Sequence, residues 1–464
     1  MKPINKEVFR AYDIRGIVDR DFDLDWVETL GRACGTWFHS HGWTKAVVGH
    51  DCRHSSPGYQ ERLAKGLASC GLDVLLLDLV PTPAFYFAAK TLGYQAGVMV
   101  TASHNPPEFN GFKVWAGETT AHTEQVQAIY ETMASGVFVQ GSGTIIRRDI
   151  VPTYLDALAS QARVQRPVKV VVDGGNGTGG LITAELLCRV GCEVIELYCE
   201  PDGNFPNHHP DPVVEKYMHA LQAKVLETGA ACGIGLDGDD DRIGVVDEKG
   251  RLMFGDQLLA IYARHMLRDY PDSTVIGEVK CSHLMYREIE DLGGVPLMWK
   301  TGHSLIKAKM KETGARLAGE MSGHMFFADR YHGYDDATYA ALRLVEILSE
   351  GGAPLSERLA HWPRTYNTPE IRVDCPEEIK FAIVAKAQEH FRRTREIIDV
   401  DGARILFPDG WGLVRASNTQ PVLVLRFEAE SAERLAALRQ EVEDQIQAWI
   451  QEALESVKPV TSEA

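Results

Sequence analysis

KAVVGHD at residues 45–51, SSPGYQERLAKGLASCG at 55–71 and LDVLLLDLV at 72–80 read in turn as a strand, an amphipathic helix and a second strand. The two apolar runs are short and rich in Val and Leu. The stretch between them spaces its apolar residues as a helix does, which is the signature of buried strands joined by a crossover helix. Working outward, PAFYFAAKTLG (83–93) adds a helix, and AGVMV (96–100) adds a strand that opens into TASHNPPEFNGFKVW. The same order returns twice. VKVVVD, LITAELLCRVG, CEVIELY, VVEKYMHALQAKVLETG and CGIGL lead into DGDDDRIGVVD (237–247). STVIGEV, SHLMYREIEDLGG, VPLMW and SLIKAKMKETG lead into LAGEMSGHMFFAD (317–329). Each repeat predicts an α/β layer with a polar, Gly-rich loop near the carboxyl end of a strand, where such sheets bind ligands.

After HWPRTYNTPE (361–370) the pattern changes. IRVDC, a long helix over EEIKFAIVAKAQEHFRRTREII (377–398), the strands ARILF, GWGLVRA and VLVLRFEAE, and a last helix predict an α+β domain with an antiparallel sheet. A hinge is expected near Pro363–Pro369. The chain should therefore form three similar α/β domains with mixed sheets, over 1–150, 151–250 and 251–363, and a C-terminal α+β domain over 364–464. A length of 464 residues fits several domains of roughly 150 residues each.

Apolar residues make up 45% of the chain and charged residues 24%, an ordinary globular balance. With 48 Lys+Arg against 65 Asp+Glu the formal net charge is -17, which argues against nucleic acid and anionic membranes as partners. A local basic cluster can still bind a small anion. The apolar run at Val74–Val80 is cut by Asp78 and is far shorter than the roughly 18–20 residues that span a bilayer. MKPINKEVFR has no apolar stretch, so no secretory signal is expected. None of the nine cysteines sits in a C-x-x-C pair, and Cys188, Cys192 and Cys199 read as small buried thiols, not a zinc site. The expectation is a reduced, cytoplasmic protein with no obligate protein partner.

Four loops carry residues suited to chemistry. Ser103 and His104 precede an Asn-Pro turn and lie near Lys113, and no Gly-x-Ser-x-Gly elbow is present; such a serine can carry a transferable group. Asp237, Asp239 and Asp241 alternate along a loop that ends at Arg242. In an extended loop these carboxylates would point one way, offering hard oxygens to Mg²⁺ or Ca²⁺. The same residues with Glu248 match EF-hand positions, but Arg242 replaces the turn glycine and IGVVD reads as a strand. Mg²⁺ bound together with a phosphoryl group fits better. In the third loop Glu320 and Ser322 can hydrogen-bond sugar hydroxyls, and His324 can move a proton. In the fourth, Arg415, Ser417, Asn418 and Thr419 form a phosphate cradle. A further stretch, Gly175-Asn-Gly177-Thr-Gly179-Gly180 with Glu196 downstream, satisfies the dinucleotide fingerprint and keeps an NAD-dependent dehydrogenase among the alternatives.

Together the loops resemble the α-D-phosphohexomutase family, in its bacterial phosphomannomutase/phosphoglucomutase branch, over essentially the whole chain. TASHNP is similar to the family's phosphoserine loop, DGDDDR to its metal loop, GEMSGH to its sugar loop and RASNTQP to its phosphate loop, in the family's order. FRAYDIRG (9–16) and KTGHS (300–304) also match. The resemblance implies four domains around a central cleft. It implies that Ser103 is phosphorylated and joins Asp237, Asp239 and Asp241 in holding Mg²⁺, with Arg242 beside the reacting phosphate. Tyr12, Arg15, Lys113, Lys280 and His303 would line the cleft. Glu320 and Ser322, with Met321, Gly323 and His324 in the same loop, would meet the sugar. Arg415, Ser417, Asn418 and Thr419 would grip the phosphate that stays in place. The catalytic set would be Ser103, His104, Lys113, Arg242 and His324, with Lys113 and His324 the candidates for proton transfer. Asp240 departs from many relatives and is expected to add charge beside the metal. The implied reaction moves phosphate between C1 and C6 of glucose and mannose phosphates, with a hexose 1,6-bisphosphate as intermediate and activator. The nearest alternative is a phosphoglucosamine mutase, which the residue at Met321 disfavours. A noncatalytic sugar-phosphate binder is a more distant one.

Overall fold

The apolar runs of the first repeat become the parallel core of a mixed sheet. In this computed structural model, which describes residues 2–417 and 421–457, Lys45–His50 lies between Asp73–Leu79 and Ala96–Val100 and runs parallel to both. Ala96–Val100 is followed by an antiparallel return strand, Phe109–Ala116, and Ile14–Ile17 adds antiparallel beyond it. Helices Ser56–Ser69 and Thr82–Thr91 supply the crossovers. A helix outside the repeat, Leu24–Ser40, starts where the Asp23 carboxylate accepts the Trp26 amide at 2.7 Å. Capping of this kind satisfies one of the free N–H groups at a helix start. The helix buries Trp26 among Phe22 and Phe112.

The other two repeats follow the same plan. Lys169–Asp173 runs parallel to both Glu193–Leu197 and Cys232–Leu236, and the latter returns antiparallel through Ile243–Asp247. Thr274–Glu278 runs parallel to Leu317–Gly319, which returns antiparallel through Met325–Phe327. In each sheet the predicted loop joins the last parallel strand to its antiparallel return strand. These elements form one compact unit, up to Gly277 with Met285–Leu297 and Gly302–Ala360.

A second unit contains Glu278–Leu284, Met298–Thr301 and the chain from His361. Its antiparallel sheet centres on Val422–Ala429 and Gly410–Ala416. Helices Lys380–Arg392 and Ala432–Val457 bury Ile383, Phe391, Leu438, Val442 and Ile446 with Leu425 and Phe427 of the sheet. The helix expected over 377–398 ends early, at Arg392. Ile397–Ile398 forms an edge strand on Ala403–Phe407 instead, because two β-branched residues gain more from a half-buried sheet edge than from a last helical turn. The segment carrying Lys280 is held to this sheet by two buried arginines. Arg404 donates to the carbonyls of Val279 (2.7 Å) and Cys281 (2.8 Å), and Arg426 to that of Lys280 (2.6 Å). No helix among the described residues is long and apolar enough to cross a membrane.

Candidate active site

Two of the repeat loops meet at Ser103. Its amide donates to Thr101 Oγ1 at 2.9 Å, and its φ of 49° is left-handed, a region that costs a residue with a Cβ about 1–2 kcal/mol. The Ser103 hydroxyl donates to Asp237 Oδ2 at 2.6 Å and lies 3.2 Å from His104 Nδ1. Burial, then the charges of Arg242 and Arg15, push the His104 pKa well below its usual value, so this ring is neutral.

Asp237, Asp239 and Asp241 converge, with ligand oxygens within 4.8 Å of one another. Convergence does not come from the extended loop expected of alternating positions. The loop is a tight turn: the Asp240 amide donates to the Asp237 carbonyl at 3.2 Å, and Asp240 takes φ 66° between the other two. Asp240 also corrects the expectation of extra charge beside the trio. Its carboxyl receives Thr338 Oγ1 at 2.6 Å, and burial pushes its pKa well above the carboxylate range. Glu248, the twelfth position of the rejected EF-hand register, binds Ser356.

The ammonium of Lys113 bridges the trio, 2.6 Å from Asp239 Oδ2 and 2.5 Å from Asp241 Oδ2. Burial opposes that charge, but the two carboxylates outweigh it and raise the Lys113 pKa. Asp241 moves the other way. Burial would raise its pKa, yet Lys113 and His324 hold it well below the usual range, while burial and the charges of Asp241 and Asp239 push Asp237 up. The second carboxylate oxygens of Asp239 and Asp241 are buried with no hydrogen-bond donor among the described residues. Converging hard oxygens, two of them lacking a hydrogen bond, fit Mg²⁺.

His324, on the far side of Asp241, is fixed by three contacts. Arg242 Nε donates to its Nε2 at 3.0 Å, and its Nδ1 lies 3.2 Å from Asp335 Oδ2 and 3.6 Å from Asp241 Oδ1. A ring that accepts at Nε2 carries its proton on Nδ1 when neutral. The lone pair therefore faces Arg242, and the cluster of Asp241, His324 and Asp335 cannot offer a nitrogen to a cation. Asp335 also pairs with Lys307 (2.8 Å) and His303 (3.3 Å). Burial lowers the pKa of both Lys307 and His303. Neither Asp335 nor Lys307 was among the predicted residues.

GEMSGH forms the hairpin between Leu317–Gly319 and Met325–Phe327. Glu320 Oε1 accepts the Gly302 amide at 2.6 Å, and Ser322 Oγ donates to Glu320 Oε2 at 3.3 Å. Gly323, at φ 88°, lies so close to Ile243 that a Cβ would sit 2.3 Å from its carbonyl oxygen. The sugar-type loop is thus seated on the strand that leaves the acidic turn. Met321 is half-buried at the hairpin tip. The Tyr12 ring packs on Gly302 and meets His303 edge to face, while Arg15 donates to Asn105 Oδ1 at 2.7 Å. The dinucleotide-like glycines serve packing: the Thr178 amide donates to the Gly238 carbonyl at 3.0 Å, and a Cβ on Gly179 would lie 2.3 Å from Asp240 Cγ.

In the second unit Lys280 Nζ lies 3.4 Å from Glu370, Arg415 Nε donates to Asp401 at 3.1 Å, and Lys380 donates to the Ser417 carbonyl at 2.5 Å. The predicted residues Asn418 and Thr419 lie outside the described residues.

Comparison with known proteins covers the same ground. The chain matches the phosphoglucomutase/phosphomannomutase alpha/beta/alpha domains I, II and III over residues 6–140, 152–250 and 254–366, and the C-terminal domain over 370–445. It is 45% identical to a phosphomannomutase/phosphoglucomutase of Pseudomonas aeruginosa, covering 95% of this chain and 96% of that one. Identity to a phosphoglucomutase of Neisseria gonorrhoeae is 42%, over 93% of this chain and 95% of the relative. The crystal structure of a phosphoglucomutase/phosphomannomutase family protein from Burkholderia thailandensis aligns with a TM-score of 0.90 at 39% identity, over 96% of this chain and 98% of that one.

Proposed function

Since the chain belongs to the phosphoglucomutase/phosphomannomutase family of α-D-phosphohexomutases, we propose that its reaction runs through Ser103. The protein is an isomerase, an intramolecular phosphotransferase that interconverts the 1- and 6-phosphates of glucose and mannose. We divide it at residues 150, 250 and 363 into four domains, each contributing one loop. The observation that carries the mechanism is the 2.6 Å contact between Ser103 Oγ and Asp237, which joins the serine loop to the acidic turn.

Phosphoserine 103 passes its phosphoryl group to the free hydroxyl of a hexose monophosphate. The bond from phosphorus to Ser103 Oγ breaks, a bond to the sugar oxygen forms, and the hydroxyl proton leaves to a base. The product is a hexose 1,6-bisphosphate, which turns over in the site. In the second transfer the bond from phosphorus to the other sugar oxygen breaks, a bond to Ser103 Oγ forms, and the proton passes to that newly freed oxygen. Asp237, Asp239 and Asp241, with the serine, would hold Mg²⁺, which when bound draws charge from the transferring phosphoryl group. Arg242 would stabilise the same charge. Lys113 neutralises Asp239 and Asp241 and keeps them in place. Its raised pKa makes it a poor base, so His324 takes the proton at Nε2, releasing the Arg242 N–H that this nitrogen accepts in the structure. His104 lies beside the serine as a neutral partner. Glu320 and Ser322 bind sugar hydroxyls, with Met321 and Gly323 shaping the loop, and Tyr12, Arg15, Lys280 and His303 are the further residues assigned to substrate binding. Arg415, Ser417, Asn418 and Thr419 grip the stationary phosphate.

Phosphorylated sugars as substrates and nine cysteines that form no disulfide among the described residues suit a cytoplasmic enzyme. A coupled assay with glucose 1-phosphate, mannose 1-phosphate and glucosamine 1-phosphate, with and without Mg²⁺, tests the reading. Turnover of the two neutral sugars that needs Mg²⁺ supports it, and turnover of glucosamine phosphate alone would replace it with the amino-sugar reaction.

A further inference from the structure

Arg53 belongs to none of the four loops, yet its guanidinium is fully buried beneath the one that carries Ser103. Nη2 donates to the carbonyls of Ser103 (2.7 Å) and Asn105 (2.6 Å), and Nη1 to those of Pro106 (2.6 Å) and Phe109 (3.0 Å). Nε donates to Asp51 Oδ2 at 3.1 Å. All five N–H groups of the side chain are used, four of them on backbone carbonyls between Ser103 and Phe109, in the loop and the first residue of the strand that follows it. Asp51 is held in turn, since its Oδ1 accepts the Arg53 amide at 3.0 Å and Ser56 Oγ at 2.5 Å. The loop is therefore wrapped around a planar cation whose own orientation is fixed.

We propose that Arg53 is the positioning residue of the phosphoryl-transfer serine: it holds the Ser103 loop in one geometry through both half-reactions. The proposal rests on the phosphoserine reading. In that reading Ser103 Oγ acts twice, as the leaving atom when the first phosphoryl group departs and as the nucleophile when the second arrives. Both steps need the oxygen in the same place, and a displacement of about 1 Å costs on the order of 10²-fold in rate. The serine sits at a left-handed φ of 49°, a conformation that persists only where its surroundings over-determine it. The bond from Arg53 to the Ser103 carbonyl is applied at that residue itself. Lysine cannot replace it. An ammonium has three donors, tetrahedrally arranged, and would leave at least two of the five acceptors without a partner.

The experiment compares wild type with Arg53→Lys, which keeps the charge and most of the volume. Two rates are read: kcat with glucose 1-phosphate, and rephosphorylation of dephosphorylated enzyme by glucose 1,6-bisphosphate, followed by intact mass. Both should fall together by about 10²-fold, with KM within threefold and a thermal midpoint above the assay temperature. A purely structural arginine would lower the midpoint and leave the rates alone, so a folded variant with both rates within twofold of wild type overturns the proposal. If Arg53→Lys does not fold, Asp51→Asn is read instead; it weakens the hold on Nε and should lower both rates about tenfold. Wild-type rates there overturn the proposal equally. Phosphate mapped in active wild-type enzyme to a residue other than Ser103 would reject the phosphoserine reading itself, whatever the variants do.

Discussion

Arg242 Nε donates to His324 Nε2 at 3.0 Å, and this one contact fixes which nitrogen of the histidine can take a proton. With the lone pair on Nε2, the proton of a neutral ring sits on Nδ1, which lies 3.2 Å from Asp335 Oδ2 and 3.6 Å from Asp241 Oδ1. Asp335 thus stands to His324 as an orienting carboxylate does in a nucleophile–histidine–acid triad, where losing the carboxylate's charge costs orders of magnitude in turnover. Asp335→Asn should lower kcat by at least tenfold and change KM by less than threefold. Steady-state kinetics on both sugars check this. An unchanged kcat would leave Asp335 as no more than the partner of Lys307.

Asp239→Asn should separate metal binding from folding. Asp239 Oδ2 already accepts Thr82 Oγ1 at 2.5 Å and Lys113 at 2.6 Å, while its other oxygen is buried without a donor. An amide keeps the shape and removes the charge that would hold the cation. Mg²⁺ should raise the thermal midpoint of wild type, because a ligand that binds only the folded state stabilises it, and should raise that of the variant much less. The variant's kcat should fall about 10²-fold with KM little changed, since the metal acts in the transition state. Equal Mg²⁺ shifts for the two proteins would remove Asp239 from the cation site.

The loops and the three-fold repeat were legible because each rests on local chemistry: runs of Val and Leu, a serine before Asn-Pro, a hairpin with Glu320 and Ser322. What escaped the sequence depends on tertiary approach. Arg53 in HDCRHSS and Asp335 in GYDDA carry no motif. Their importance comes from a buried guanidinium meeting four carbonyls, and from a carboxylate meeting two histidines and a lysine. The geometry of the acidic loop differs from the extended one expected, because alternation in sequence implies a shared face only in extended chain, and Asp240 bends this one. Ile397 and Ile398 look helical beside their neighbours until the edge of a sheet is available to them.

His208 ties stability to pH. Its Nε2 lies 3.0 Å from Asp173 Oδ2 and its Nδ1 lies 3.0 Å from the His209 carbonyl, so acceptors face both nitrogens and favour the doubly protonated ring. Burial opposes that charge, but the hydrogen bond and charge of Asp173 outweigh it and raise the pKa. A histidine with a raised folded pKa contributes stability that is complete below the unfolded value, about 6.5, and is lost as pH rises through the higher folded value. The gap in unfolding free energy between wild type and His208→Gln should therefore be widest near pH 6 and narrow toward pH 8.5. Denaturant titrations at both pH values check it, and a gap that widens with pH would contradict the charged pairing with Asp173.

Glucose 1-phosphate and mannose 1-phosphate should be used with kcat/KM values of the same order. The two sugars differ only in configuration at C2. The bisphosphate must bind in two orientations related by roughly a half-turn, so sugar contacts have to work both ways round. The hydroxyls at C3 and C4 can exchange places in such a turn, and Glu320 with Ser322 offers a matched pair of groups for them. Glu320 is set by the Gly302 amide at one oxygen and faces Ser322 with the other, a pair arranged before any sugar arrives. A site reading O3 and O4 in this way has little hold on O2. Strong discrimination would need a buried polar group dedicated to O2, and a mispaired group there costs about 1–3 kcal/mol, or roughly ten- to a hundred-fold in rate. Met325, Phe326 and Phe327, which follow in the hairpin, are apolar and buried and offer no such group, and His324 is engaged by Arg242. Competing the two sugars in one coupled assay measures the ratio directly. A preference above about a thousand-fold exceeds what a single contact of that kind supplies, and would reject the O3/O4 reading while leaving phosphoryl transfer through Ser103 intact.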